Sequence, residues 1–365
     1  MSNAIEKEAA RADQASARAA FSAERAQGRR ALEAARAIGL SEGAAVAAHV
    51  GAPAGGAQAR ALRPDWLALL QALQACGPLM ALTRNEHAVH EKTGIYQNVS
   101  GNTRMGLALG PDIDLRLFLT HWHAGFAFAD HPAPPSLQFF DATGRAVHKV
   151  FVREATDLAA WRAVIDAFAL PADAPATVFS APAPPPAARP DADIDQGGLL
   201  GEWAQLEDTH DFFGLLKAYG VQREQALRLA EGRFTRTLAT TAVRALLLAA
   251  ALDGTPIMCF VGSSGCTQIH TGPVHRIEPM DMRGARWLNV LDPGFNLHLR
   301  EDAIARVWVV EKPTTDGVVT AVEVFDAQGE VIAMFFGERK PGVPELPAWR
   351  ALVADLPPLT EPVAA

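Results

Sequence analysis

Two short segments of this 365-residue chain carry side chains that could bind a metal-containing ligand. In the first, Asp208 or Thr209 could cap a helix, which would place His210 in the first turn of that helix. A neutral imidazole next to Phe212 and Phe213 suits a flat aromatic ligand that has a metal at its centre. The alternative is an ordinary surface histidine at the start of a helix, with no ligand.

The second segment, Asp114-Leu115-Arg116-Leu117-Phe118, is predicted to be a β-strand. Because side chains alternate along a strand, Asp114, Arg116 and Phe118 share one face. An arginine and a phenylalanine on one face could line a pocket. The same pattern is also typical of the polar, solvent-facing side of a sheet.

Other familiar chemical motifs are missing from the sequence. The notable histidines of the first half are His87, His90, His121, His123 and His148. Only His121 and His123 are close together among them, and no HExxH pattern occurs. The three cysteines lack the close spacing of a zinc site and are predicted to be reduced thiols; they are Cys76, Cys259 and Cys266. The chain has no dinucleotide-binding glycine motif, P-loop or nucleophile elbow.

The composition is that of a soluble globular protein, with 49% hydrophobic and 20% charged residues. A formal net charge of −8 without a long basic run argues against a nucleic-acid partner. The apolar stretches are too short to span a bilayer, and the charged N-terminus lacks the apolar core of a signal peptide. We therefore expect a cytoplasmic protein that does not insert into a membrane.

The elements that must position these residues occur twice along the chain. Three segments of the first half recur in the same order in the second: residues 109–116 (LGPDIDLR) as 291–298 (LDPGFNLH), 140–144 (FDATG) as 325–329 (FDAQG), and 160–163 (AWRA) as 348–351 (AWRA). Gly39 and Gly220, which are each expected to end a helix, are 181 residues apart and extend the repeat towards the N-terminus. Two similar halves usually fold into two similar units, and the surface between such units is a natural place for one large ligand.

Each copy is predicted to contain helices, then a meander of strands, then one closing helix. Residues 5–37 have a helical composition, and the strand pattern runs from 79 to 153 in the first copy and from 256 to 336 in the second. Tight turns between short strands favour antiparallel sheets, so each copy is expected to be an α+β unit.

A proline- and alanine-rich stretch separates the two copies and is expected to be an extended linker. The predicted organisation is an N-terminal extension with little order (residues 1–19), a first repeat (20–170), the linker (171–200), a second repeat (201–357) and a C-terminal tail (358–365).

From about residue 20 to residue 355 the chain resembles the bacterial cytoplasmic haem-utilisation family often called hemin-degrading factor, of the HemS/HmuS/ChuS type. The segments that carry the resemblance are residues 84–94, 113–118, 136–141 and 146–150 in the first half and 268–273, 289–293, 295–302 and 336–339 in the second. The resemblance implies a tandem repeat in which each half is a large antiparallel β-sheet flanked by helices, with one haem b in a cleft between the halves.

The resemblance also implies roles for single residues. His210, in the family's Thr-His-x-Phe-Phe segment, would be the proximal ligand of the haem iron. Arg116 would be the distal residue, reaching the other face of the iron through a water, and would be the catalytic residue of an enzyme. Phe118 and Phe260 would pack against the porphyrin.

Three cations match basic positions that the family is expected to place near the haem propionates: Arg223, Lys312 and Arg339. Guanidinium and ammonium groups are suitable partners for two carboxylates. Some relatives carry a Tyr-Gln pair where this chain has Ala333-Met334, so we expect the propionate site to be looser or rearranged.

The resemblance leaves two functions open. The chain could be a haem carrier in haem uptake and iron acquisition, which takes haem from an uptake transporter and passes it to a haem oxygenase or other users. It could instead be a haem-oxygenase-like enzyme that degrades the bound haem and releases iron. A third alternative is a different small-molecule binder on the same scaffold.

Overall fold

The computed structural model describes residues 2–171, 174–184, 186–340 and 342–359, apart from the side chains of residues 2–12. The chain forms two compact units. Unit 1 contains the chain up to Arg84 together with Glu91–Ala183 and Ser263–Gln268, and unit 2 contains Asn85–His90, Pro184–Gly262 and the chain from Ile269 onwards. Each unit therefore includes one short segment from the other half of the sequence.

In its described residues, unit 1 combines five α-helices with nine strands. The helices are α1 (Ser2–Ala26), α2 (Ala31–Ala37), α3 (Glu42–Ala47), α4 (Trp66–Ala72) and α5 (Leu158–Phe168). The strands are β1 (Gln58–Leu62), β2 (Leu79–Arg84), β3 (Ala88–Gly94, of which residues 91–94 belong to this unit), β4 (Val99–Gly101), β5 (Met105–Leu109), β6 (Asp114–Phe118), β7 (Ala124–Ala129), β8 (Ser136–Phe140) and β9 (Ala146–Val152).

Unit 1 is built on an antiparallel sheet with the strand order β1-β7-β8-β9-β2. Successive side chains point to opposite faces, so Phe139 packs with Trp66 and Trp161 in one core while Phe140 packs with Phe21 and Phe126 in another. Helices therefore cover both faces of the sheet. A second antiparallel group, β4-β5-β6, carries Arg116.

Unit 2 has the same composition of elements. Its helices are α6 (Gln196–Trp203), α7 (Asp211–Tyr219), α8 (Arg223–Leu229), α9 (Ala242–Asp253) and α10 (Pro347–Ala354). Its strands are β10 (Thr235–Leu238), β11 (Ile257–Gly262), β12 (Cys266–Gly272, of which residues 269–272 belong to this unit), β13 (Ile277–Met282), β14 (Ala285–Asp292), β15 (Phe295–Arg300), β16 (Arg306–Thr314), β17 (Gly317–Phe325) and β18 (Val331–Gly337).

The main sheet of unit 2 is antiparallel in the order β10-β16-β17-β18-β11, with β13-β14-β15 as a second antiparallel group. Helices α9 and α10 cover one face, where Leu246 and Trp349 pack on Phe335. Helices α6 to α8 cover part of the other face, where Trp203 and Phe212 are buried. The predicted α+β repeat, with a large antiparallel sheet and flanking helices in each half, is confirmed.

Three predicted boundaries differ from the structure. The continuous helix expected over residues 5–37 is wrong: α1 ends at Ala26, and Gly28 adopts a left-handed φ of 79° before α2 begins at Ala31. Since α1 spans residues 2–26, the predicted boundary at residue 20 falls inside a helix. Helix α6 begins at Gln196, inside the predicted linker, because the Asp195 carboxylate accepts the backbone N–H of Gly198.

The predicted C-terminal tail is described only as far as residue 359, where Pro358 forms a single antiparallel bridge with Leu238. Within the described part of the chain, none of the helices combines the length and the apolar character needed to cross a bilayer.

Candidate functional site

His210 lies directly before α7, not in its first turn as the sequence predicted. It is the N-cap residue of the helix, but its side chain makes no capping bond. The Asp208 carboxylate contacts His210 instead. Its Oδ1 accepts the backbone N–H of His210 at 2.8 Å and lies 2.6 Å from Nδ1 of the ring. The expectation that Asp208 or Thr209 caps the helix was therefore wrong, because His210 is the N-cap residue and the Asp208 carboxylate is hydrogen-bonded to His210.

The contact with Asp208 decides which nitrogen of His210 can bind a metal. An ionised carboxylate only accepts hydrogen bonds, so Nδ1 carries the proton and Nε2 keeps its lone pair. The hydrogen bond from the backbone of His210 is the main cause that lowers the pKa of Asp208, so the carboxylate is ionised near neutral pH. With 87% of the side chain exposed, the imidazole is accessible to a ligand.

The two phenylalanines after His210 have different roles. Phe212 is 1% exposed and packs edge-on against Trp203, with ring centroids 4.6 Å apart, so it belongs to the core. Phe213 is 74% exposed. The sequence treated the pair as equivalent, whereas only Phe213 is free of the core and available to a flat ligand.

Part of the main sheet of unit 2 is apolar and only half covered. Phe260 on β11 pairs in register with Met334 on β18, so both side chains lie on the face that α6 to α8 cover in part. Phe260 also contacts Phe336 edge-on, at 5.0 Å between ring centroids. All three side chains are partly exposed. Ala333 points to the opposite face and is fully buried, so of the Ala333-Met334 pair only Met334 belongs to this surface.

A buried ion cluster, consisting of Glu323, Arg223 and Lys312, lies beside Phe212. Both guanidinium nitrogens Nε and Nη2 of Arg223 are 2.7 Å from the Glu323 carboxylate, and Nζ of Lys312 is 3.1 Å from it. The two cations also lie over the ring of Phe212, at 5.3 and 4.5 Å from its centroid. Two of the three predicted propionate partners thus share one buried carboxylate.

The pKa values of Glu323 and Lys312 are both lowered within the cluster, for different reasons. Burial alone would raise the pKa of Glu323, but the charges of Arg223 and Lys312 outweigh it and lower the pKa to about 2. Burial lowers the pKa of Lys312, because a single contact with Glu323 does not offset the loss of water and the proximity of Arg223. The carboxylate therefore stays ionised, and Lys312 is the easier of the two cations to neutralise. With both cations charged the cluster carries a net charge of +1.

Glu323 is the functional candidate that the sequence analysis missed. It is the single carboxylate inside the apolar strand Gly317–Phe325 and is fully buried. A lone charge in such a strand is a signal, since buried carboxylates are rare unless they are paired.

Arg339, the third predicted propionate partner, follows β18 and is less tightly held. Its Nη2 is 3.6 Å from Oδ2 of Asp316, and the side chain is one-fifth exposed. Its charge also contributes to lowering the pKa of Asp208, so it lies near the carboxylate that holds His210. The structure therefore brings Arg339 and His210 into one region of unit 2.

The predicted distal residues belong to unit 1. Strand β6 alternates as expected: Leu115 and Leu117 are fully buried, while Asp114, Arg116 and Phe118 on the other face are partly exposed. The guanidinium of Arg116 contacts the carboxylate of Asp114 and is about one-third exposed. The roles of Arg116 and Phe118 at a haem stay predictions.

Unit 1 has its own buried ion cluster at positions that the repeat relates to the site in unit 2. Glu42 on α3 is 2.6 Å from Lys149 and 2.5 Å from Arg84. In the repeat, Glu42 is equivalent to Arg223, by the 181-residue offset that relates Gly39 to Gly220. Lys149 is equivalent to Met334, by the 185-residue offset that relates the FDATG and FDAQG segments. At these two equivalent positions the first copy has an ion pair, whereas the second copy has an arginine and an apolar side chain.

The equivalent of His210 in unit 1 also differs. By the 181-residue offset that relates Gly39 to Gly220, the residue equivalent to His210 is Arg29. Arg29 forms an ion pair with Glu24 at 2.6 Å. At this pair of equivalent positions, the first copy therefore has an ion-paired arginine and the second an exposed imidazole.

The remaining histidine and cysteine candidates are buried or scattered. His148 lies between Tyr96 and Thr83, with Nε2 2.7 Å from the Tyr96 hydroxyl and Nδ1 2.9 Å from the Thr83 hydroxyl, and burial lowers its pKa to about 3. The three cysteines are buried thiols whose pKa values burial raises. Across the described residues, His, Cys, Asp and Glu side chains form no group of three that could hold a metal ion.

Comparisons with known proteins match both halves of the chain. The family described as "Haemin-degrading HemS.ChuX domain" matches residues 39–168 and 220–356. The hemin transport protein HmuS of Yersinia pestis is 40% identical over 305 residues, which cover 82% of this chain and 86% of that protein. The hemin transport protein HemS of Yersinia enterocolitica is 39% identical over 302 residues, with the same coverage.

Solved structures show the same fold. Apo-PhuS, a heme-binding protein from Pseudomonas aeruginosa, is 48% identical and superimposes with a TM-score of 0.89 over 95% of this chain and 100% of its own. The heme-degrading enzyme ChuS of Escherichia coli O157:H7 is 34% identical, with a TM-score of 0.85 over 94% of this chain and 100% of its own.

Proposed function

Because the chain belongs to the haemin-degrading HemS/ChuX family, we propose that it binds one haem b and carries it during haem uptake and iron acquisition. The relatives named hemin transport proteins and the heme-binding protein PhuS support this function. The proposal includes a cytoplasmic location, with haem received from an uptake transporter and delivered to a haem oxygenase or other users. The observation that carries it is the exposed imidazole of His210, whose Nδ1 is held by Asp208.

Unit 2 offers each kind of group that haem requires. Haem iron is commonly bound by a neutral histidine nitrogen, and we assign this role to Nε2 of His210. The porphyrin needs apolar contacts, for which Phe213, Phe260 and Met334 are exposed or partly exposed. Bound haem supplies an iron centre whose reactivity depends on the axial ligand and on nearby polar groups.

The cations of unit 2 differ in how readily they can meet a propionate. Lys312 is only 4% exposed and is committed to Glu323, whereas a quarter of the Arg223 side chain is exposed. Arg339 has a single long contact with Asp316. We therefore expect Arg339 to be the main propionate partner and Arg223 the second, with the net positive charge of the Glu323 cluster adding a favourable field.

A second candidate function is degradation of the bound haem. The relative ChuS is described as a heme-degrading enzyme and as a heme oxygenase, which supports this alternative. In that case haem is the substrate, and the predicted catalytic residue is Arg116. A cationic guanidinium on the distal side would hold a water molecule by hydrogen bonds in either function.

Haem titration of the purified chain tests the binding proposal. We expect one haem per chain, and we expect His210→Ala to weaken ferric haem affinity and to change the visible spectrum. The variant should fold, because the His210 side chain is exposed and makes no capping bond. His275→Ala, which removes another exposed histidine of unit 2, is the matched control. An unchanged spectrum and affinity in His210→Ala would refute the ligand assignment.

Single-turnover experiments separate the carrier from the enzyme. The ferric haem complex is reduced with and without catalase while the Soret band is followed. A stable Soret band supports a carrier. Loss of the band with a biliverdin-like product and iron release supports the enzyme, whereas bleaching that catalase abolishes reflects free peroxide.

A further inference from the structure

We propose that Asp208 is a positioning residue for the iron ligand His210, and that its negative charge strengthens the bond from the imidazole to ferric iron. The proposal rests on the function proposed above only in taking His210 as the ligand. Asp208 is one of the two residues, with Thr209, that the sequence suggested as a helix cap.

The geometry at Asp208 holds both parts of His210. One carboxylate oxygen accepts the backbone N–H at 2.8 Å and lies 2.6 Å from the ring nitrogen Nδ1. The main chain of the same turn is closed by the N–H of Asp211, which donates to the Asp208 carbonyl at 3.2 Å. Backbone direction and ring orientation are therefore set by one carboxylate.

Packing does not fix the ring of His210. Its side chain is 87% exposed, so without Asp208 the imidazole would sample several rotamers and both neutral tautomers. The segment itself is anchored, because the N–H of Thr315 donates to the carbonyl of Glu207 at 3.0 Å. The Asp208 carboxylate is thus the feature that converts an exposed histidine into a preorganised ligand.

The charge of Asp208 has a second consequence. Hydrogen bonds from a ligand imidazole to a carboxylate fix the tautomer, orient the ring and raise the basicity of the coordinating nitrogen. Greater basicity favours the more highly charged ferric ion over the ferrous ion.

Two substitutions separate orientation from charge. Asp208→Asn keeps an oxygen that can accept both hydrogen bonds but removes the charge, whereas Asp208→Ala removes both acceptors. Asp211→Asn is the matched control, since Asp211 is the adjacent exposed carboxylate at the start of α7 and its loss changes the net charge equally. Circular dichroism of the haem-free proteins checks that all variants fold.

Each variant is titrated with ferric haem, its ferric/ferrous midpoint is measured by spectroelectrochemistry, and its iron–histidine stretch is recorded by resonance Raman spectroscopy. We expect Asp208→Ala to lose about tenfold to 100-fold in ferric haem affinity, the usual effect of removing such a partner. We expect Asp208→Asn to lose less affinity but to raise the midpoint. A tenfold greater loss for ferric than for ferrous haem corresponds to ~59 mV. Asp211→Asn should leave all three measurements near those of the unmodified protein.

The outcomes distinguish the two proposals. If His210→Ala changes the spectrum but Asp208→Ala retains the affinity and the Raman band, the role of Asp208 is refuted and the ligand assignment stands. If Asp208→Asn and Asp211→Asn shift the midpoint equally, the effect is general surface electrostatics and the specific role is refuted. If His210→Ala leaves the spectrum unchanged, both proposals fall.

Discussion

Replacing Glu323 with glutamine should destabilise unit 2 by about 3–5 kcal/mol at pH 7, because it leaves the buried Lys312 and the partly buried Arg223 without a counter-charge. Glu323 is fully buried and makes contacts of 2.7 Å with Arg223 and 3.1 Å with Lys312. Glutamine is nearly isosteric, so the change removes the charge with little change in packed volume.

The pKa of Glu323 leads to a similar magnitude. The two cations lower it from 4.5 to about 2, against the opposing effect of burial. Each pKa unit corresponds to about 1.4 kcal/mol, so the shift is equivalent to ~3 kcal/mol of stability at neutral pH. A carboxyl group whose pKa is depressed on folding contributes fully above its unfolded pKa and loses that contribution as the pH falls through the folded value. The contribution of Glu323 is therefore lost between pH 4.5 and about pH 2.

Urea unfolding followed by hydrogen-exchange mass spectrometry is the appropriate assay, since peptides from β17 report on unit 2 and peptides from β8 report on unit 1. We expect the Glu323→Gln variant to lose protection in β17 at lower urea concentration, and the difference from the unmodified protein to shrink below pH 4.5. Glu311→Gln, on the neighbouring strand β16, removes an exposed carboxylate and should change stability by less than about 0.5 kcal/mol.

The reasoning would be refuted by a Glu323→Gln variant whose unfolding at pH 7 lies within about 1 kcal/mol of the unmodified protein. It would also be refuted by a difference that stays constant from pH 6 down through the window in which the carboxyl group protonates. Either result would mean that Arg223 and Lys312 do not depend on Glu323 for their charge balance.

Further predictions concern unit 1 and the distal side. Glu42→Gln should destabilise unit 1 by about 3–5 kcal/mol in the same urea assay, read at β8. The charges of Lys149 and Arg84 outweigh burial and lower the pKa of Glu42 from 4.5 to about 2, so this loss of stability should also diminish below pH 4.5. A pH-independent loss would contradict the prediction. Tyr96→Phe should cost about 1–3 kcal/mol in unfolding free energy, because it leaves Nε2 of the buried His148 without its 2.7 Å partner; an unchanged melting temperature would count against that bond. Arg116→Ala should retain most haem binding but alter the pH titration of the ferric complex, and superimposable titrations of the two proteins would argue against a distal role.

Much of the architecture could be predicted from local sequence patterns. The strand regions predicted at 79–153 and 256–336 match the observed runs from β2 to β9 and from β11 to β18, because short apolar runs between turn residues identify antiparallel strands. The end of α7 was correct because Gly220 adopts a left-handed φ of 59°, which glycine tolerates best. The break between α1 and α2 was missed, since Gly28 interrupts an otherwise helical composition.

The candidate site was predicted only in part. His210 and its aromatic neighbours stand together in the sequence, so their proximity needed no tertiary information. The contact between Asp208 and His210 was also local, but Asp and Thr before a helix are such common caps that the sequence suggested Asp208 or Thr209 for that role instead. Phe212 and Phe213 could not be separated, because the side of α7 that packs on Trp203 depends on where the helix docks.

The pattern of residues along the chain was sufficient to establish the duplicated α+β fold and a single helix-associated histidine, because repeats, strand alternation and turn residues act over short distances. Whether the arginine and lysine side chains are paired with a carboxylate was decided by long-range contacts. Arg223 and Glu323 are 100 residues apart, and Glu42 and Lys149 are 107 residues apart. An arginine in a sequence motif carries a charge, but whether that charge is available to a ligand depends on which carboxylate the folded chain buries against it.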